Sequence, residues 1–363
     1  MKKKIILFFL LISLIITNSC NSPTENQQQF KHPRDMIWTI DTLSYPGSDQ
    51  TIMTSMWASS SRDVWIAGHN DRSKGNLWHF NGNKWSDYVL SNDIERSPLS
   101  FAKIYGLANN NVWVVGDREF TQGIDPSNRI FSDLIIQYNG KKWTEHKQNS
   151  PFRILSLFCN TPNDIWVGGD NGFIANYDGI KWKKDTIVII KKFPDNKYFI
   201  NSLVKINEQI NVSIYQYGGQ SEIRYFIKGN LNNWRVVDSI DYGAKDKSIK
   251  WGYWGFDVSP LKKLLSYGYE GIWEWDGKNW NHLLKIRYPV YGLFALNDNY
   301  IIAPGDFGIV YFFDGTNWEQ LTMFSQTQSY LVYTDAWTNG YEAFILGHTI
   351  DGWPQKTVIW RGK

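Results

Sequence analysis

Acidic and imidazole side chains recur at one place in this chain, directly behind a glycine that ends an apolar run. His69 follows Gly68, Asp117 follows Gly116, Asp170 follows Gly168-Gly169, Asp306 follows Gly305 and His348 follows Gly347. Carboxylates and imidazoles gathered into a ring could bind a cation or a polyol, or divide acid and base roles between two carboxyls. Asp behind Gly also has a plainer use, capping its own turn by accepting a backbone N–H. His69 and His348 break the Asp pattern and point more toward a ligand. These five residues are the candidate ligand-binding set. No nucleophile motif, phosphate loop or His-x-x-x-His spacing occurs, so no catalytic residue, metal ligand or cofactor is assigned.

The elements that carry them repeat. Asp164 to Trp182 holds an apolar run with a Trp, a Gly-Gly-Asp stop, a second run from Phe173 to Tyr177, an Asp178-Gly179 turn and a closing Trp182. Asp-Gly favours a tight hairpin, with both central residues able to take positive φ. The same order returns around Trp65 and Trp85, around Trp113 and Trp143, before Trp280 and before Trp318, and a weaker copy ends at Trp234. Six steps separate Gly68 from Gly347, a mean of about 46 residues, which is close to the length of a four-stranded propeller blade. An apolar segment with a small residue precedes each copy, as at Gly106, Ser156, Gly255 and Gly292, and suits an innermost strand crowded at an axis. Strands a, b, c and d per repeat predict an all-β, seven-bladed propeller of four-stranded antiparallel blades. The last copy stops after strand c, and Met36 to Leu43 reads as the missing strand d, closing the ring. Poor patterning from Ile187 to Lys250 leaves six or eight blades open.

These repeats resemble a broad group of bacterial β-propellers that includes photosystem-assembly-factor-like, kelch-like and sialidase-type domains. The resemblance rests on Trp-[Ile/Val]-x-Gly-Asp and Asp-Gly-x-x-Trp elements and implies fold only. Asp and Gly are adjacent here, without the preceding Ser or Thr of a sialidase Asp-box, so no catalytic residue carries over. The repeated Trp residues read as packing between blades. Trp251, Trp254, Trp337 and Trp353 fall outside the repeat and are freer to meet a ligand, while Trp254 and Trp337, near inner strands, also read as filling the channel. The longest b–c insertion, Arg118 to Ser132 with Phe120, Asp125, Pro126 and Arg129, lies on the face where repeat proteins carry specificity, and reads equally as a loop tolerated at little cost.

The chain opens with Lys2-Lys3-Lys4, an apolar run from Ile5 to Ile16 and Cys20. A charged start and a short apolar core read as an export signal, and the Cys behind it resembles a bacterial lipobox, which implies lipidation at Cys20. The domain reading is a signal peptide over 1–19, a flexible tether over 20–35 and a propeller over 36–363. The lysines account for the formal charge of +3, leaving no basic footprint for nucleic acid. Cys159, without a partner once Cys20 is lipidated, reads as a small buried apolar residue. Function is expected to be that of a monomeric, non-enzymatic cell-envelope lipoprotein. It would be anchored to the outer membrane or cell surface and bind an envelope protein or glycan on one propeller face. The alternative is a polysaccharide hydrolase or lyase using carboxylates of the b–c loops.

Overall fold

The structure is a computed structural model that describes residues 30–363 apart from 73, 93, 95–96, 122–128, 192–193, 219–220, 243–248 and 326–329. Cys20, the signal segment, the tether up to residue 29, Asp125 and Pro126 lie outside the described residues. Strand β1 (Trp38–Leu43) comes first. Blade one is β2 (Thr51–Ser60), β3 (Asp63–Asn70), β4 (Leu77–Phe80) and β5 (Trp85–Asp87). Blade two is β6 (Leu99–Ala108), β7 (Asn111–Thr121), β8 (Arg129–Tyr138) and β9 (Trp143–Glu145). Blade three is β10 (Ile154–Thr161), β11 (Asp164–Gly169), β12 (Phe173–Tyr177) and β13 (Trp182–Thr186). Blade four is β14 (Lys197–Ile206), β15 (Gln209–Gly218), β16 (Ser221–Asn230) and β17 (Asn233–Asp241). Blade five is β18 (Gly255–Val258), β19 (Leu264–Gly268), β20 (Gly271–Trp275) and β21 (Trp280–Lys285). Blade six is β22 (Phe294–Asn297), β23 (Tyr300–Pro304), β24 (Val310–Phe313) and β25 (Trp318–Gln320). Blade seven is β26 (Leu331–Thr338), β27 (Ala343–Thr349) and β28 (Thr357–Gly362), with β1 as its outer strand.

Each blade is a four-stranded antiparallel sheet, and the seven sheets make a seven-bladed β-propeller. The poorly patterned stretch supplies one complete blade, the fourth. The N-terminal strand closes the ring, with Trp38 opposite Gly362 and Leu43 opposite Thr357. Ordered contacts begin before β1. The Lys31 N–H donates to Gly340 O at 2.7 Å, Tyr300 Oη donates to Lys31 O at 2.9 Å, and His32 pairs with Glu319 at 3.0 Å. The residues from Lys31 to Asp35, read from sequence as tether, therefore sit on blades six and seven, at the face that carries the a–b and c–d turns.

Two local expectations change. In the Asp-Gly turns only the glycine takes positive φ, 90° at Gly179. Asp178 instead accepts the Ile180 and Lys181 N–H groups at 3.1 and 2.9 Å, so its side chain fixes the turn. The b–c insertion of blade two is in part a strand extension. Arg118 pairs with Ser132 and Thr121 with Arg129, carrying the hairpin above its neighbours.

The cores lie between blades. Trp65, Trp113 and Trp166 of the second strands are buried, and each meets the next blade, as in the edge contacts Trp65–Trp143 at 5.5 Å and Trp113–Trp182 at 6.1 Å. Truncating a core Trp of this kind to Ala costs about 3–5 kcal/mol. Cys159 is buried and free in the same layer. Gly68, Gly116, Gly169 and Gly347 belong to strand b itself, not to the loop beyond it, and Gly305 directly follows the end of β23. Strand a bulges opposite Gly116, where a Cβ would fall inside contact distance of Ser100 O and Phe101 Cα, both backbone atoms that cannot swing aside. Gly116→Ala is expected to lower stability by about 1–3 kcal/mol in chemical denaturation, as overpacking does, without change in the far-ultraviolet spectrum.

Candidate binding face and central channel

Antiparallel blades put the b–c turns and the d–a connections on one face. There the candidate residues separate into groups. Asp170 is clamped by Arg153, accepting from Nε at 2.9 Å, from Nη2 at 3.0 Å and from the backbone N–H at 3.1 Å. Asp117 is buried beside this pair, and burial pushes its carboxyl up to about 7; Arg153 opposes the shift, while Asp170 and Glu119 add to it. His69 stands at the rim near Asp71 and Glu119, where partial burial lowers its pKa against the pull of those two carboxylates. Asp306 caps its turn by accepting the Phe307 N–H at 2.9 Å, and its other oxygen accepts from Tyr291 Oη at 3.5 Å. His348 faces the axis, and burial holds its pKa down to about 4, so the ring stays neutral. The structure thus gathers Asp117 and Asp170, with His69 on their flank, on blades one to three. Asp306, on blade six, lies across the ring from them, and His348 stands apart on blade seven, which packs against blade one but turns this side chain to the axis. Among the described residues no group of three or more His, Cys, Asp or Glu is placed to hold a metal ion.

Two features of this face carried no repeat signal. The first is aromatic. Of the nine exposed aromatic side chains among the described residues, seven belong to b–c or d–a segments of blades four to seven. They are Tyr217, Trp254, Tyr269, Tyr288, Phe307, Tyr330 and Trp353, the last two being 55% and 67% exposed. Ring contacts support them from below. Tyr217 stacks on Tyr215 at 5.2 Å, Tyr269 rests on Tyr253 at 5.7 Å and Phe307 on Tyr288 at 4.9 Å. Between Tyr215 and Tyr253 lies the buried guanidinium of Arg224, 3.2 and 4.3 Å from the two ring centres and paired with Glu222 at 3.2 Å. This stack stiffens the platform. Two of the Trp residues outside the repeat, Trp254 and Trp353, are exposed on this face, whereas Trp251 is fully buried.

The second feature is the channel, a cavity of about 720 Å³ reached by all seven blades. Bulges in the inner strands leave Thr54, Ala102, Leu155, Asn201 and Thr334 unpaired, and these point to the axis with Trp254 and Tyr291 of blades five and six. Three residues further along each strand a second ring forms. Six blades give it Trp57, Tyr105, Phe158, Val204, Phe294 and Trp337; blade five gives Asp257. Between the rings, Lys103 Nζ lies 3.4 Å from Asp335 Oδ2. Asp335 is also structural, because it accepts the Met56 N–H of blade one at 3.0 Å.

The class is therefore a seven-bladed propeller with one face half charged and half aromatic around an open axis. No protein-family model matches the chain, and no curated protein matches it. Among solved structures it is similar to one described as YCF48 bound to D1 peptide, with 14% identity, a TM-score of 0.55, and 90% of this chain and 96% of that one covered. It is similar also to YCF48 from Cyanidioschyzon merolae, with 13% identity, a TM-score of 0.56, and 89% and 98% of the two chains covered. These are likenesses of fold.

The Asp117 carboxyl gives a test of the charged half. Its pKa is raised on folding, so the folded state binds the extra proton and stability falls as pH rises from about 4 through 7. Asp117→Asn is expected to flatten that fall, gaining on the order of 1 kcal/mol over the native domain at pH 8 and nothing at pH 4, read from denaturant midpoints.

Proposed function

We propose that this chain is a non-enzymatic cell-envelope lipoprotein whose propeller binds a protein partner on the aromatic half of the b–c face. The observation that carries the reading is the distribution of exposed aromatics, seven of the nine among the described residues lying on one half of one face. Aromatic residues dominate the energetics of protein interfaces, and an unfilled arc of them around a rigid rim is the surface such an interface uses. The structure of YCF48 with a D1 peptide supports peptide recognition by a propeller of this architecture. Lipidation at Cys20 supplies the envelope anchor in this reading. Lys31 itself packs on the propeller face opposite the aromatic arc.

A polysaccharide-acting enzyme is the second reading, favoured by Asp117, whose raised carboxyl could donate a proton near neutral pH. Against it, Asp170 is held on three donors by Arg153, which quenches it as a base or nucleophile.

The domain from Lys31 onward, immobilised, is expected to retain an envelope protein, and Tyr330→Ala with Trp353→Ala to weaken that binding more than 10-fold. Tyr341→Ala, on the opposite face, is expected to leave it unchanged. Equal loss in both variants contradicts the face assignment, and capture of a glycan alone with turnover at Asp117 establishes the enzyme. Separately, Cys20→Ala is expected to release the full chain from alkaline-washed membranes. Retention there shows that lipid on this residue is not the anchor.

A further inference from the structure

The second channel ring sets one carboxylate among aromatic and aliphatic side chains. Asp257 Oδ1 accepts the Val258 N–H at 2.7 Å, and among the described residues no donor is in place for its other oxygen, which faces the channel. The ring positions on either side of the axis bring Trp57, Tyr105, Phe158, Phe294 and Trp337 around the same space. Aromatic faces attract cations through the ring quadrupole, and a carboxylate inside such a ring adds a point charge. Among the described residues the wall holds three further polar atoms that are buried and without a hydrogen-bond partner: Asn201 Oδ1, Thr334 Oγ1 and His348 Nδ1. The Asn201 amide is fixed, because its Nδ2 donates to Trp254 O at 2.8 Å, so its buried oxygen is an acceptor in the channel wall without a protein donor. The volume, about 720 Å³, lies within the roughly 300–1,000 Å³ of small-molecule sites.

We propose that the central channel binds an organic cation, an ammonium group on an apolar body, with Asp257 as counter-ion and the aromatic ring as its cage. The channel charges favour a cation over an anion. Lys103 of blade two faces two carboxylates, Asp257 and Asp335, and already pairs with the second. His348 is neutral, and the Tyr105 and Tyr267 hydroxyls, pushed well up by burial and by the Asp257 charge, stay protonated. Although Asp257 touches channel water, protein encloses it, and burial raises its carboxyl to about 7, with Lys103 and the Val258 N–H opposing and Asp335 reinforcing the shift. An arriving cation offsets that burial, so binding releases the proton. This site does not depend on what the aromatic face binds. The ammonium of a free amine and that of a lysine side chain from a partner present the same chemistry at Asp257.

Tryptophan fluorescence and calorimetry on the domain from Lys31 onward, titrated with n-butylammonium, test this. The expected result is saturable binding, at least 10-fold tighter than n-butanol or butyrate, weakening at least 10-fold with Asp257→Asn. Affinity is expected to rise from pH 5 to pH 8. Calorimetry at pH 6 in buffers of different ionisation enthalpy is expected to show proton release with the amine and none with butanol, a reading from the unaltered protein. A short lysine peptide binding more tightly than butylammonium assigns the ammonium to a partner; weaker binding assigns it to a free amine. Equal affinity for butanol, absence of proton release, or an unchanged Asp257→Asn variant that retains its native melting transition overturns the proposal.

Discussion

The pairing of β1 with β28 is the constraint on which the rest depends. Six residue pairs join a strand from the start of the chain to one at its end. Without them blade seven would stop at its third strand and present an open edge. The closure also reaches across to blade one. Asp41 pairs with Arg361 at 2.6 Å and accepts from Trp85 Nε1 at 3.0 Å, and Arg361 lies over the Phe80 ring at 5.0 Å. One short strand thus fixes the angle between the last blade and the first, and with it the width of the axis.

Inside the closed ring, crowding at the axis shapes the function-bearing surfaces. Five inner strands bulge, opposite a glycine of strand b in blades one, two, three and seven and opposite Ile214 in blade four, and the bulge turns one residue of each toward the channel. The position after the bulge then stitches blades together, with Ser55 accepting from Ile104 N at 3.2 Å, Ser202 from Phe256 N at 2.9 Å and Asp335 from Met56 N at 3.0 Å. Packing that is uniform around the ring leaves its two linings free to vary. Blades one to three carry the charged half of the face, blades four to seven the aromatic half, and blade five alone puts a carboxylate in the second ring.

The fold was legible because its repeat signals are steric. Gly68, Gly116 and Gly347 recur because backbone meets backbone there, and the Trp residues recur because each fills the gap to the next blade. Blade four hid because it breaks both rules. Register puts Asn211 where Trp65 stands in blade one and Ile214 where Gly68 stands, so the pattern vanished although the strands remained. The site was less legible. Asp306 does cap a turn, as the simpler reading had it, whereas His348 turned to the channel. Asp117 and Asp170 come together only through the packing of blade two on blade three. Arg224 gave no signal at all, since a stack between Tyr215 and Tyr253 joins residues from neighbouring blades. The aromatic arc was missed for the same reason, its members being scattered through loops of different lengths.

The closed ring is tested most directly by amide hydrogen exchange on the domain beginning at Lys31. Closure predicts that β28 is protected on both of its edges, so its amides exchange as slowly as those of β27, and those that donate to β1 become fast only when residues up to Leu43 are removed. Rapid exchange along one edge of β28 in the intact domain would contradict the closure, and with it the placing of the face and the channel.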